Sequence, residues 1–139
     1  MKTLIKSITA IAVIASFTFA SCGKYEEGPK ISLRSKKARL CGDWTLEKYT
    51  YDGVDMTSSI GGTVMVDIEK DGGYKSTFNG NVTEEGKWEL GEDKDDVFMT
   101  SNDTGAVKES YRILKLKNKE MVLKHTESTG KVSEFEYNQ

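Results

Sequence analysis

Only a few side chains in this 139-residue sequence are of types that do covalent, acid-base or metal chemistry. There are two cysteines, Cys22 and Cys41, and one histidine, His125. A thiol outside a reducing compartment is a disulfide partner, an acylation site, a reactive nucleophile or a small buried hydrophobe. His125 would act as a base or a ligand, but no Cys, Ser or carboxylate group accompanies it at a catalytic spacing. The run Glu92, Asp93, Asp95 and Asp96 would attract Ca²⁺. It lacks the alternating oxygen ligands and the closing Glu of an EF-hand, and reads as a solvated hairpin loop. The sequence has no phosphate-binding loop, dinucleotide fingerprint, zinc spacing or nucleophile elbow. These residues point away from an enzyme, and neither a cofactor nor a metal is expected.

The fate of the cysteines depends on the first part of the chain. Residues 1–21 read as a secretory leader: Lys2 and Lys6, a thirteen-residue apolar run over 8–20, then the small residues Ala20 and Ser21. A run of thirteen is too short to span a bilayer. The ending "FASC" resembles the lipobox of bacterial lipoproteins, with Phe19 where that motif usually has Leu. The resemblance implies that Cys22 becomes the acylated amino terminus, with the membrane as its partner through long chains such as palmitate. Each buried methylene contributes roughly 0.8 kcal/mol, so several chains anchor almost permanently. Cys41 is then left without Cys22 as a disulfide partner. No His, Lys cluster or second Cys lies close in sequence to activate it, so it reads as a buried hydrophobe.

Residues 22–37, polar and holding the sole proline, Pro29, read as a flexible tether. Lys24, Glu26 and Glu27 are similar to the surface-export signal of some Gram-negative lipoproteins, and equally to charges in any solvated linker. The expected location is the cell envelope, lipid-anchored at the outer membrane. Without its 21-residue leader the chain keeps 118 residues, enough for one domain over 38–139, and its net charge goes from −2 to −4. That mild acidity, with no basic stripe, argues against nucleic acid as a partner.

The elements that must position any site are strands. From Leu40 onward, short β-branched and aromatic runs alternate with Gly, Asn and Asp turns about every ten residues. Eight runs are expected, over 44–51, 63–70, 74–78, 82–90, 97–101, 108–117, 120–126 and 131–137. No helical period stands out. "FNGNV" supplies an Asn-Gly turn suited to a tight hairpin. In the sixth run Tyr111, Ile113, Leu114 and Leu116 do not share one face, so a bulge or an outer contact is expected there. Short connections make the neighbours antiparallel, and eight is the count at which a sheet closes. The fold class is therefore all-β, an eight-stranded antiparallel up-and-down barrel that encloses side chains or one small ligand.

Gly42-Asp43-Trp44 at the entry of the first run resembles the Gly-x-Trp signature of the lipocalins. "EGKWEL", "YRILKLKNKEMVLKH" and "GKVSEFEY" resemble the short lipocalin-like domains of bacterial lipoproteins. The resemblance implies that Gly42 and Trp44 close one barrel end and that the other end admits a small apolar molecule. It also implies a late basic residue over Trp44, for which Lys124 or Lys131 would have to substitute. On strand alternation, Leu46, Val66, Ile68, Tyr74, Phe78, Trp88, Met99, Tyr111 and Leu123 face inward. They would line a ligand pocket or form an ordinary packed core. In the second case the barrel would be an interaction or inhibitor module working through its loop tips or one outer face.

Overall fold

The computed structural model of the protein describes residues 34–139. The expected leader at 1–21, the acylation site Cys22 and the tether up to residue 33 lie outside the described residues. At the tether's far end the expectation needs correcting, because a short helix, α1 (Lys36–Leu40), occupies its last positions. Five residues are too few to show a 3.6 period in sequence. The helix forms because Ser35 caps it, accepting a 3.1 Å hydrogen bond from the Ala38 amide, and because Arg39 and Leu40 are buried.

The strands follow in chain order as β1 (Gly42–Tyr51), β2 (Val54–Asp55), β3 (Val64–Ile68), β4 (Gly73–Phe78), β5 (Asn81–Leu90), β6 (Asp96–Ser101), β7 (Glu109–Leu116), β8 (Glu120–Thr126) and β9 (Val132–Asn138). Every pairing is antiparallel, and β1 pairs with both β3 and β9, so the sheet closes. The barrel has the expected eight strands, and β2 is a two-residue hairpin added to the end of β1. Closure leaves no long unpaired edge. The Asn-Gly turn is present, with positive φ at Asn79 and Gly80 between β4 and β5.

Three bulges shift the register. The one in β7 falls between Ile113 and Lys115, and it lets both Ile113 and Leu116 reach the interior despite their odd spacing. The one in β1 falls between Leu46 and Lys48, so that Leu46 faces Tyr137 while Tyr49 faces Phe135 across the ladder. Strict alternation from Trp44 would have sent Tyr49 outward. The third, where β5 slips against Ser76 and Thr77, puts Glu84 opposite Ser76 and Val82 opposite Thr77.

One end of the barrel is solid. Leu40, Trp44, Ile68, Val97, Ile113, Leu116 and Met121 are almost wholly removed from solvent there. The Trp44 indole N–H donates to the Leu40 carbonyl at 2.7 Å, satisfying an acceptor left over at the end of α1. Gly42 adopts φ +138°, a conformation L side chains rarely adopt, and a Cβ there would collide with the Gln139 side chain. Lys124 stands opposite Arg112 and Glu134, and Lys131 lies over the Tyr51 ring at the far end of β1. At the plugged end a buried basic residue, Arg39, comes ahead of Trp44 in sequence, and its Nη1 donates to the Leu116 carbonyl at 2.9 Å.

Candidate functional site

Above the plug the interior is hollow. A cavity of about 120 Å³ lies among β3, β4, β5, β6, β7, β8 and β9. Val66, Ile68, Tyr74, Met99, Tyr111 and Leu123, all expected to face inward, line it together. Leu46, Phe78 and Trp88 do not. Trp88 belongs to the plugged end, where its indole N–H donates to the Glu69 carbonyl at 2.8 Å and Lys37 lies over its ring. Phe78 sits at the opposite end, against Gly62. Leu46 pairs with Tyr137 in the ladder on the plug side of the β1 bulge.

The walls also hold residues that alternation had not singled out: Ser76, Glu84, Met121, Phe135 and Tyr137. Phe135 and Tyr137 were within reach, since Ser133, Phe135 and Tyr137 alternate along β9, and Met121 is two residues from Leu123. Glu84 gave no such signal, because a carboxylate on the inner face contradicts the apolar pattern. Beside this cavity lies a hollow of about 270 Å³, sharing Tyr74, Glu84 and Met99 and bounded by Gly105, Ala106, Val107 and Glu109 near the β6 to β7 loop.

Aromatic rings form one flank. Tyr49 stacks on Phe135 at 5.1 Å between centroids, Tyr111 meets Phe135 edge-on at 6.2 Å, and Phe135 and Tyr137 are 6.4 Å apart. His125 lies 5.2 Å from Tyr111, and its Nδ1 is 3.0 Å from the Ser110 carbonyl. A carbonyl only accepts, so Nδ1 carries the proton in that contact.

Two tyrosines hold carboxylates at the hollow. The Tyr74 hydroxyl donates to Glu84, and the Tyr111 hydroxyl donates to Glu109 at 2.5 Å. Burial, reinforced by these hydrogen bonds, pushes both phenols well above their ordinary titration range. Tyr137 is pushed up by burial alone, and no described residue hydrogen-bonds its hydroxyl.

The remaining chemical candidates are placed elsewhere. Cys41 caps the end of α1 as a buried free thiol, its pKa raised by burial against the opposing pull of Lys37. The acidic run is a hairpin turn: Asp93 accepts from the Asp95 amide, Asp95 lies 3.5 Å from Lys36, and Asp96 takes a two-pronged bond from Arg112. Among the described residues, no group of three or more His, Cys, Asp or Glu is placed to hold a metal ion.

A closed up-and-down barrel, solid at one end and hollow above, defines the class of eight-stranded barrels that enclose side chains or one small molecule. The family model of the lipocalin-like domain matches residues 40–123, more than half of the chain. The protein belongs to the lipocalin-like domain family. No curated protein matches the sequence.

Proposed function

We propose that the protein is a cell-envelope lipoprotein, anchored through acylated Cys22, whose barrel holds a small and mainly apolar ligand. The observation that carries the binding half of this reading is the 120 Å³ cavity above the Trp44 plug. An apolar cavity of roughly 150 Å³ takes up benzene. The part of the ligand held in this cavity is accordingly a single ring or a short chain. The family consists mostly of binding proteins, in keeping with a non-enzymatic role.

Mass spectrometry of the protein purified from its native membrane is expected to release a stoichiometric small molecule. Thermal-shift and NMR titrations with small aromatic and aliphatic compounds are expected to perturb Tyr111 and Phe135. No bound species together with no perturbation by any compound overturns the binding claim.

A second reading has its own observation. Val54, Val82 and Val107 are 60%, 54% and 74% exposed on hairpins and loops away from the plug. An interaction module would use such apolar tips to meet a protein partner. Replacing Val54 and Val82, which line neither the cavity nor its adjoining hollow, with Ser would weaken that contact and leave small-molecule binding intact.

A further inference from the structure

The proposal that follows rests on the barrel being a ligand carrier and specifies which ligand chemistry its walls favour. The charged side chains lining the cavity and its adjoining hollow are Glu84 and Glu109, both acidic, and no Lys or Arg lines either space. Neither carboxylate has an ion-pair partner among the described residues. Their neighbours on the outer face do: Glu85 pairs with Lys75, and Glu89 with Lys108. The charge that lines the hollow is therefore negative and faces no cationic side chain of the lining.

The phenols beside these carboxylates are already committed as donors, Tyr74 to Glu84 and Tyr111 to Glu109. What they and the acids have left to offer a ligand is acceptor capacity. The rings of Tyr111, Phe135 and Tyr137 add negative π-faces within the same cavity, and such faces attract organic cations. A carboxylate-headed ligand would meet two like charges instead. We propose that the barrel selects a small organic cation, an apolar ring or short chain carrying a protonated or quaternary amine, with Glu84 and Glu109 facing its charge and the aromatic flank facing its body.

Glu84 and Glu109 keep solvent-exposed surface, so the attraction is that of a wet mouth rather than of a dry, fully desolvated ion pair. The cation–π contribution adds to it. Together they are expected to give a preference of about tenfold over a neutral isostere.

The experiment is calorimetric titration of the folded protein at low salt with three probes of one shape: benzylamine, benzyl alcohol and benzoate. Benzylamine is expected to bind about tenfold more tightly than benzyl alcohol, with benzoate weakest. In Glu84→Gln, and further in Glu84→Gln with Glu109→Gln, the ratio of amine to alcohol affinity should fall toward one. In Glu85→Gln, on the outer face, the ratio should not move. Benzyl alcohol binding as tightly as benzylamine overturns the cation preference and leaves the carrier reading standing. Failure of all three probes also overturns it, and the bound-species search on the native protein then judges the carrier reading separately. Should Glu84→Gln fail to fold, Glu109→Gln alone carries the same ratio test.

Discussion

Tyr74 stands directly opposite Gly86 in the β4 to β5 ladder, and its ring fills the place a side chain on residue 86 would need. A Cβ there would lie 2.6 Å from the tyrosine Cε1 and 2.9 Å from the Ser101 Cα, and it would also run into the Thr100 carbonyl. Two of those atoms are backbone on β6 and cannot swing aside. Gly86→Ala is expected to destabilise the barrel by about 1 to 3 kcal/mol and to free the Tyr74 hydroxyl from Glu84. Urea unfolding measures the first effect and the Tyr74 NMR signals the second. An alanine variant as stable as the parent would contradict the close approach.

The plug can be tested in two steps. Trp44 is fully buried, and its indole supplies the Leu40 carbonyl with a partner. Trp44→Phe keeps most of the apolar volume and orphans that carbonyl, for an expected loss of about 1 to 3 kcal/mol. Trp44→Ala also opens a cavity, for about 3 to 5 kcal/mol. A Trp44→Phe variant as stable as the parent would mean that the hydrogen bond contributes nothing, and equal losses in the two variants would mean that the packing of the ring adds nothing to it.

Alkaline pH should unfold the barrel from within. The phenols of Tyr74, Tyr111 and Tyr137 are all raised above the ordinary value of 10.0, chiefly by burial. The fold therefore favours their neutral form, and the stability linked to them is complete below pH 10.0. It is lost as the pH rises beyond that value, because the unfolded chain releases these protons first. The denaturation midpoint is expected to fall steeply above pH 10.0, with tyrosinate absorbance for these residues appearing together with unfolding. Early tyrosinate formation by all three in a barrel that stays folded would contradict the burial.

The membrane half of the reading has a simple measurement. Cys22→Ala protein is expected to leave the membrane fraction and lose the mass of its acyl chains. Normal membrane association of the alanine variant would show that acylation is not the anchor.

The barrel itself was legible because its inner positions are mostly apolar and its turns carry Asn, Asp and Gly. The β7 bulge was legible too, since Tyr111, Ile113, Leu114 and Leu116 cannot share a face without one. The β1 bulge left no such mark: Glu47 is an ordinary residue for an exposed strand, so nothing in the sequence turns Tyr49 toward Phe135. Glu84 was hidden for the opposite reason. Its type says outside, and only its pairing with Ser76 and the tyrosine held against it place it at the hollow. Helix α1 escaped notice because five residues carry no period, and its evidence lies in what Arg39 and Leu40 touch.

The position of α1 also has a directional meaning. The chain joins the barrel at the plugged end, where Arg39 bonds to Leu116 and Trp44 to Leu40. The hollow lies at the other end, beside the β6 to β7 loop. If the proposed anchor at Cys22 holds the barrel by its α1 side, uptake and release would take place with the surrounding fluid rather than by sideways exchange with the lipid leaflet. A carrier held that way would sample solutes that pass by, and its cargo would not need to partition into the membrane to be caught.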